Sequence, residues 1–239
     1  MTVIWTFTAV GLLAGVVGTG LGGLLSSLLH IRRPAPMALA LEFAAGLMLG
    51  VVTFDLLPEA FALTTVTTVL SGCAGGVALG GLAELALMGS RPATLRDTGI
   101  LTAFGVSVHN LFEGLAIGAG LTVSGRLGLS LAIVIGLHNI PEGVAMAAPL
   151  SGGGLSRART LLTACAAGLP MGVGAFLGAA MGNLTDQAVG FCLAMAGGMM
   201  IFISFADLIP ASKSLSGRRY PSLGSIAGLL AGILLIKML

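Results

Sequence analysis

Polar residues punctuate this chain so sparsely that the stretches between them stay apolar for about twenty residues at a time. Eight such runs lie near residues 3–29, 37–61, 66–88, 99–121, 127–149, 159–182, 187–209 and 221–239. A stretch of about 20 apolar residues is long enough to cross a bilayer as a helix. The runs are too continuous for the alternating strands of a barrel, and open sheet edges are not tolerated in lipid. The pattern therefore predicts an all-α membrane protein with eight transmembrane helices, forming one domain over 1–239. The first run lacks a basic leader and is longer than the apolar core of a signal peptide, so it is expected to be a retained helix.

Composition agrees with this pattern. The chain is 56% hydrophobic and only 8% charged, where a soluble domain carries about 25% charged residues. Its 38 glycines have no collagen-like period; small residues in membrane helices let backbones approach closely. Gly72, Gly76 and Gly80 make one such series in the third run, which would suit helix packing in any membrane fold. Cys73, Cys165 and Cys192 stand singly in apolar segments and read as small packing residues, not a disulfide framework.

Basic residues set the expected orientation. Arg32, Arg33, Arg91, Arg96, Arg157, Arg159, Lys213, Arg218 and Arg219 fall in the loops of one side, against Arg126 and Lys237 on the other. The basic side is expected to be cytoplasmic, which would place both termini outside.

Two internal similarities stand out. AAGLMLGVVTFDLLPE (44–59) aligns without a gap on AGGMMIFISFADLIPA (196–211), so Gly46, Met48, Asp55 and Pro58 fall on Gly198, Met200, Asp207 and Pro210. The runs that hold them are five apart and cross in opposite senses, as do the fourth and fifth. Related elements of opposite sense are the mark of an inverted-topology repeat, with a substrate site near mid-membrane. Under that arrangement Asp55 and Glu59 lie near the external end of the second helix and Asp207 near the cytoplasmic end of the seventh, with Asp55 deeper than Asp207. They are candidates for a transport path; as solvated helix ends they would have no such role.

The second similarity carries the chemistry. HNLFEG begins at His109 and HNIPEG at His138, each near the middle of its run. His109 and Glu113, like His138 and Glu142, stand four apart and share a helix face, about 6 Å apart along the axis. An ionised group at the bilayer centre costs on the order of 3 kcal/mol on insertion scales. Such groups persist where they pair, bind ions or line a path. Two imidazoles and two carboxylates suit a four-coordinate zinc ion, and iron, manganese, cobalt or cadmium accept the same set. Asn110 and Asn139 add neutral oxygens. Pro141 is expected to kink the fifth helix beside the site and free the carbonyl of Leu137, and Gly114 and Gly143 to admit neighbouring helices. The alternative is structural: His–Glu hydrogen bonds that staple two helices.

With these motifs and eight runs, the chain resembles the ZIP (Zrt-, Irt-like) family of metal transporters over nearly its whole length, most closely the bacterial members. The resemblance implies uptake of a divalent transition metal, usually zinc, as the transported substrate (with Fe2+, Mn2+ and Cd2+ as further possibilities), and no organic cofactor. It implies a site of His109, Asn110, Glu113, His138, Asn139 and Glu142, joined by the thioether of Met48, with Met200 a weaker counterpart. Asp55 takes the place of a polar residue near the external mouth. Helices one, four, five and six would move against two, three, seven and eight, in a protein often dimeric and resident in the bacterial inner membrane. Some bacterial members carry a glutamate in helix six; here GLPMGVGA puts Met171 in its place and Gly172 where a proline would stand. A second metal bridged to the first is therefore not expected. The loop near GSRPATLRD has no histidine, and His30, beside two arginines, is expected to be interfacial rather than a ligand.

Two rivals differ in class. A cation-diffusion exporter has six spans and a soluble domain, and an intramembrane metalloenzyme needs an open metal position and a general base, for which HNxxEG offers no HExxH arrangement. On that ground enzymatic activity is not expected, and since no GxxxxGK[ST] loop is present, direct coupling to ATP is not expected either.

Overall fold

The computed structural model describes residues 2–29, 33–89, 93–181, 185–217 and 220–238. His30, Arg32, Arg91, Arg218 and Arg219, which enter the expectations above, lie outside the described residues. Among the described residues eight helices follow one another: α1 (Thr2–Leu28), α2 (Pro34–Leu63), α3 (Val66–Met88), α4 (Leu95–Val123), α5 (Gly125–Gly152), α6 (Arg157–Met181), α7 (Asp186–Ser216) and α8 (Ser222–Met238). Seven are long and apolar enough to cross a membrane; α8 is apolar but shorter, at 17 residues. This is an all-α, multi-pass membrane protein.

Local chemistry sets the ends. α4 starts four residues before its apolar run because Thr94 and Asp97 form a reciprocal capping box, each side chain taking the other's backbone N–H. Pro34 opens α2, where its missing N–H is no loss. Gly217, at φ +55°, closes α7 in the left-handed conformation that glycine tolerates best.

α5 remains α-helical through Pro141 and Pro149. The departures from α geometry lie elsewhere, in turns that the sequence analysis did not single out. α2 widens into a π-helical segment at Val52–Leu56 and α7 at Ile203–Leu208. Both segments precede a proline, Pro58 and Pro210, whose ring crowds the carbonyl four residues back. That carbonyl, of Phe54 or Ala206, falls inside the wider turn, which gives the ring room. Asp55 and Asp207 sit within these two segments.

The helices pack in two groups. α1, α4, α5 and α6 lie against one another, while α2 packs along α8 and α3 along α7. α2 and α7 also touch each other, and they meet the first group through α5 and α4. Small residues permit these contacts. A β-carbon on Gly143 would strike the carbonyl of Thr19 in α1, and one on Gly114 the carbonyl of Met171 in α6. The start of α4 meets the end of α5 where Gly153 packs on Arg96, at the end of the bundle that also carries Arg33, Arg157 and Lys213.

Candidate functional site

Antiparallel packing of α4 and α5 decides how the two HNxxEG motifs face each other. Because the chains run in opposite senses, the histidine of one motif lies level with the glutamate of the other. His109 Nε2 is 2.9 Å from Glu142 Oε2, and His138 Nε2 is 3.2 Å from Glu113 Oε1. The i,i+4 spacing thus aligns each pair for its neighbour, and the hydrogen bonds run between helices. All four side chains, with Asn110 and Asn139, are at most 1% exposed.

Both asparagines are held by α6. Asn110 Nδ2 donates to the carbonyl of Ala167 at 2.9 Å, and Asn139 Nδ2 approaches Met171 Sδ at 3.9 Å. Each of the six polar residues also keeps one buried atom without a hydrogen-bond partner: His109 Nδ1, Asn110 Oδ1, Glu113 Oε2, His138 Nδ1, Asn139 Oδ1 and Glu142 Oε1. Buried polar atoms are satisfied in the great majority of cases, and leaving one unpaired costs roughly 1–3 kcal/mol. Six such atoms fall on the two matched motifs, four of them oxygens and two imidazole nitrogens. Among the described residues no three His, Cys, Asp or Glu side chains stand close enough together to hold a metal ion. In this conformation the carboxylates and imidazoles form two cross-helix pairs instead of one converged cluster.

Met48 is fully buried among Val106 of α4, Ala145 of α5 and Ala167 of α6, each about one turn or less from a site residue or its partner. Ser204 of α7 donates to its sulfur at 3.8 Å. Met200 is equally buried but belongs to a separate cluster with Leu47, Val51 and Leu193.

The outlying acids part company. Glu59 is exposed and Asp55 half-buried, whereas Asp207 is only 6% exposed. Of the two aspartates, Asp207 is the more enclosed by protein. Asp207 accepts from Thr102 of α4 at 2.7 Å and lines a cavity of about 300 Å³ with Glu84, Thr98 and Ser214. Glu84 escaped the sequence reading, as did Glu42, which is 2% exposed in α2 and bonded to Ser225 of α8. An acidic residue inside an apolar run was the available signal for both. A larger cavity, about 730 Å³ and almost wholly apolar, separates α1 and α5 from α2 and α8. The three cysteines are free.

A bundle of apolar helices that buries a matched polar constellation between two of its members is a multi-pass membrane protein with a paired polar site inside the bundle. The chain belongs to the ZIP family: the family model described as ZIP Zinc transporter matches residues 88–239, which include both HNxxEG motifs. It is 34% identical to the zinc transporter ZupT of Corynebacterium glutamicum, over 93% of each chain. It is likewise 34% identical to the ZupT of Corynebacterium efficiens, over 91% of this chain and 90% of the relative. The ZupT of Chlorobium limicola is 31% identical, over 97% and 96%.

Proposed function

We propose that the eight helices act as one transporter domain that moves divalent transition metal, zinc foremost, into the cytoplasm. The cargo would bind mid-membrane to His109, Asn110, Glu113, His138, Asn139 and Glu142. The observation that carries this reading is the set of six unpaired buried donor atoms, one from each of those residues. Four are oxygens and two are imidazole nitrogens, a mixture that suits zinc and leaves room for other first-row metals. The relatives named as zinc transporters support zinc as the substrate. Met48 joins the site as a soft ligand in this reading, its full burial in the cluster that also holds Val106 and Ala145 being the support.

Binding would require the two His–Glu pairs to rearrange, since among the described residues no three of these side chains converge in this conformation. A metal ion offers both nitrogen and oxygen a shared positive charge. Asp55 and Glu59 would serve the external mouth and Asp207 the cytoplasmic one. The matched π segments in α2 and α7, each holding an aspartate and followed by a proline, support reading the two helices as an inverted pair. The gathering of Arg33, Arg96, Arg157 and Lys213 at one end supports a cytoplasmic location for that end, in a bacterial plasma membrane. Motion of the group α1, α4, α5 and α6 against the rest would expose the site to each side in turn.

The test is zinc flux into liposomes holding purified protein, wild type beside the His109→Ala/His138→Ala double variant. Saturable flux in the first and none in the second, with equal amounts of folded protein, is the expected result. Equal flux in both would remove the site from α4 and α5. No flux from folded wild type across several divalent metals would end the transport reading.

A further inference from the structure

We infer that α6 positions the two asparagines of the site, and that Met171 is the side chain through which it does so for Asn139. The inference rests on the metal-site reading above and adds the device that points its amide oxygens.

An asparagine offers a donor end and an acceptor end on one rotatable group. Engaging its NH2 fixes the rotation of the amide and so the direction in which the oxygen points. Ala167 and Met171 stand four residues apart, so they occupy one face of α6 a single turn apart. They receive the two amide groups, through a backbone carbonyl at 2.9 Å and a thioether at 3.9 Å. On both asparagines the oxygen left over is buried and unpaired. One helix face therefore turns two amides the same way.

Met171 is well placed for this task. It is 0% exposed, and its backbone is pressed against Gly114 of α4, where no larger residue fits. Its β-carbon faces Gly15 of α1. One turn on, Gly174 meets the backbone of Leu111, which seats α6 closely along α4. The sulfur is thus held at the junction of three helices. A neutral thioether accepts the amide proton without adding a charge that would compete with Glu113 and Glu142 for the cation.

The two asparagines are held unequally. Asn110 leans on a backbone carbonyl that no side-chain change on α6 removes, whereas Asn139 leans on a side chain. Met171→Leu keeps the volume and deletes the acceptor. Zinc ion titrated into the purified, detergent-solubilised chain is expected to bind about tenfold more weakly in Met171→Leu, the usual scale for losing a residue that orients a ligand. Met171→Gln, whose carbonyl oxygen accepts the same N–H, is expected to restore affinity to within about threefold of wild type. Asn139→Ala/Met171→Leu should bind no more weakly than Asn139→Ala, while Asn110→Ala/Met171→Leu should combine both losses.

Affinity within twofold of wild type in Met171→Leu, no recovery in Met171→Gln, or multiplying losses at positions 139 and 171 would overturn the inference. Wild-type binding in Asn110→Ala, Asn139→Ala and His138→Ala alike is a different failure. It would remove the site itself, and this inference with it.

Discussion

At the scale of single residues, Glu142 and His109 distinguish a binding site from a structural staple. They meet at 2.9 Å with no more than 1% of either exposed. Glu142→Gln keeps a hydrogen-bonding group of the same size and removes the negative charge. A staple would survive that change almost intact, since a neutral amide still bonds an imidazole. A cation site would not, because the carboxylate supplies charge as well as an oxygen. We expect Glu142→Gln to fold and insert normally while zinc binding weakens at least about tenfold. Zinc affinity equal to wild type, measured by titration, would favour the staple. Both HNxxEG motifs were legible in the sequence at this scale. Their pairing was not: spacing put each histidine beside its own glutamate, and the helix packing joined it to the other one. Glu42 and Glu84 lay in plain view, but a lone acid in an apolar run has no motif to mark it.

Whole elements depend on how closely their backbones approach. Gly143 lies on α5, one residue from Glu142, against the carbonyl of Thr19. Any side chain there pushes α1 away from α5 and shifts the carboxylate. Gly143→Val is expected to lower stability by about 1–3 kcal/mol, the usual cost of overpacking, and to show this as a lower thermal midpoint in detergent. An unchanged midpoint would mean that α1 and α5 separate without cost. The π segments in α2 and α7 belong to this scale too. Their prolines were readable and so was the ungapped match between the two helices. The extra width of the turn was not, because Pro141, Pro149 and Pro170 lie in helices that remain α-helical throughout.

Across the whole molecule, two groups of helices face each other over an apolar cavity lined by Ala40 of α2 and Val144 of α5. If transport moves one group against the other, tethering them stops it. We expect a bifunctional thiol reagent bridging Ala40→Cys and Val144→Cys, with Cys73, Cys165 and Cys192 replaced, to abolish zinc flux reversibly. Leu12→Cys and Gly172→Cys place a second bridge within one group, where α1 and α6 already touch. That bridge is expected to leave flux largely intact. Full flux with the first bridge in place, verified by mass spectrometry, would refute movement between the groups.

Hydrophobic run length and continuity by themselves determined the membrane class and the eight helices, because lipid admits only helices and closed barrels and runs this continuous do not alternate as barrel strands do. Sequence motifs likewise named the six buried polar residues, since ionisable groups are too costly in lipid to occur twice in one pattern without a use. Tertiary packing alone decided which histidine meets which glutamate, that α6 anchors both asparagines, and that Asp207 rather than Asp55 is enclosed. Those outcomes turn on the relative direction and rotation of neighbouring helices, which arise from contacts between residues far apart in the chain. No local spacing encodes them.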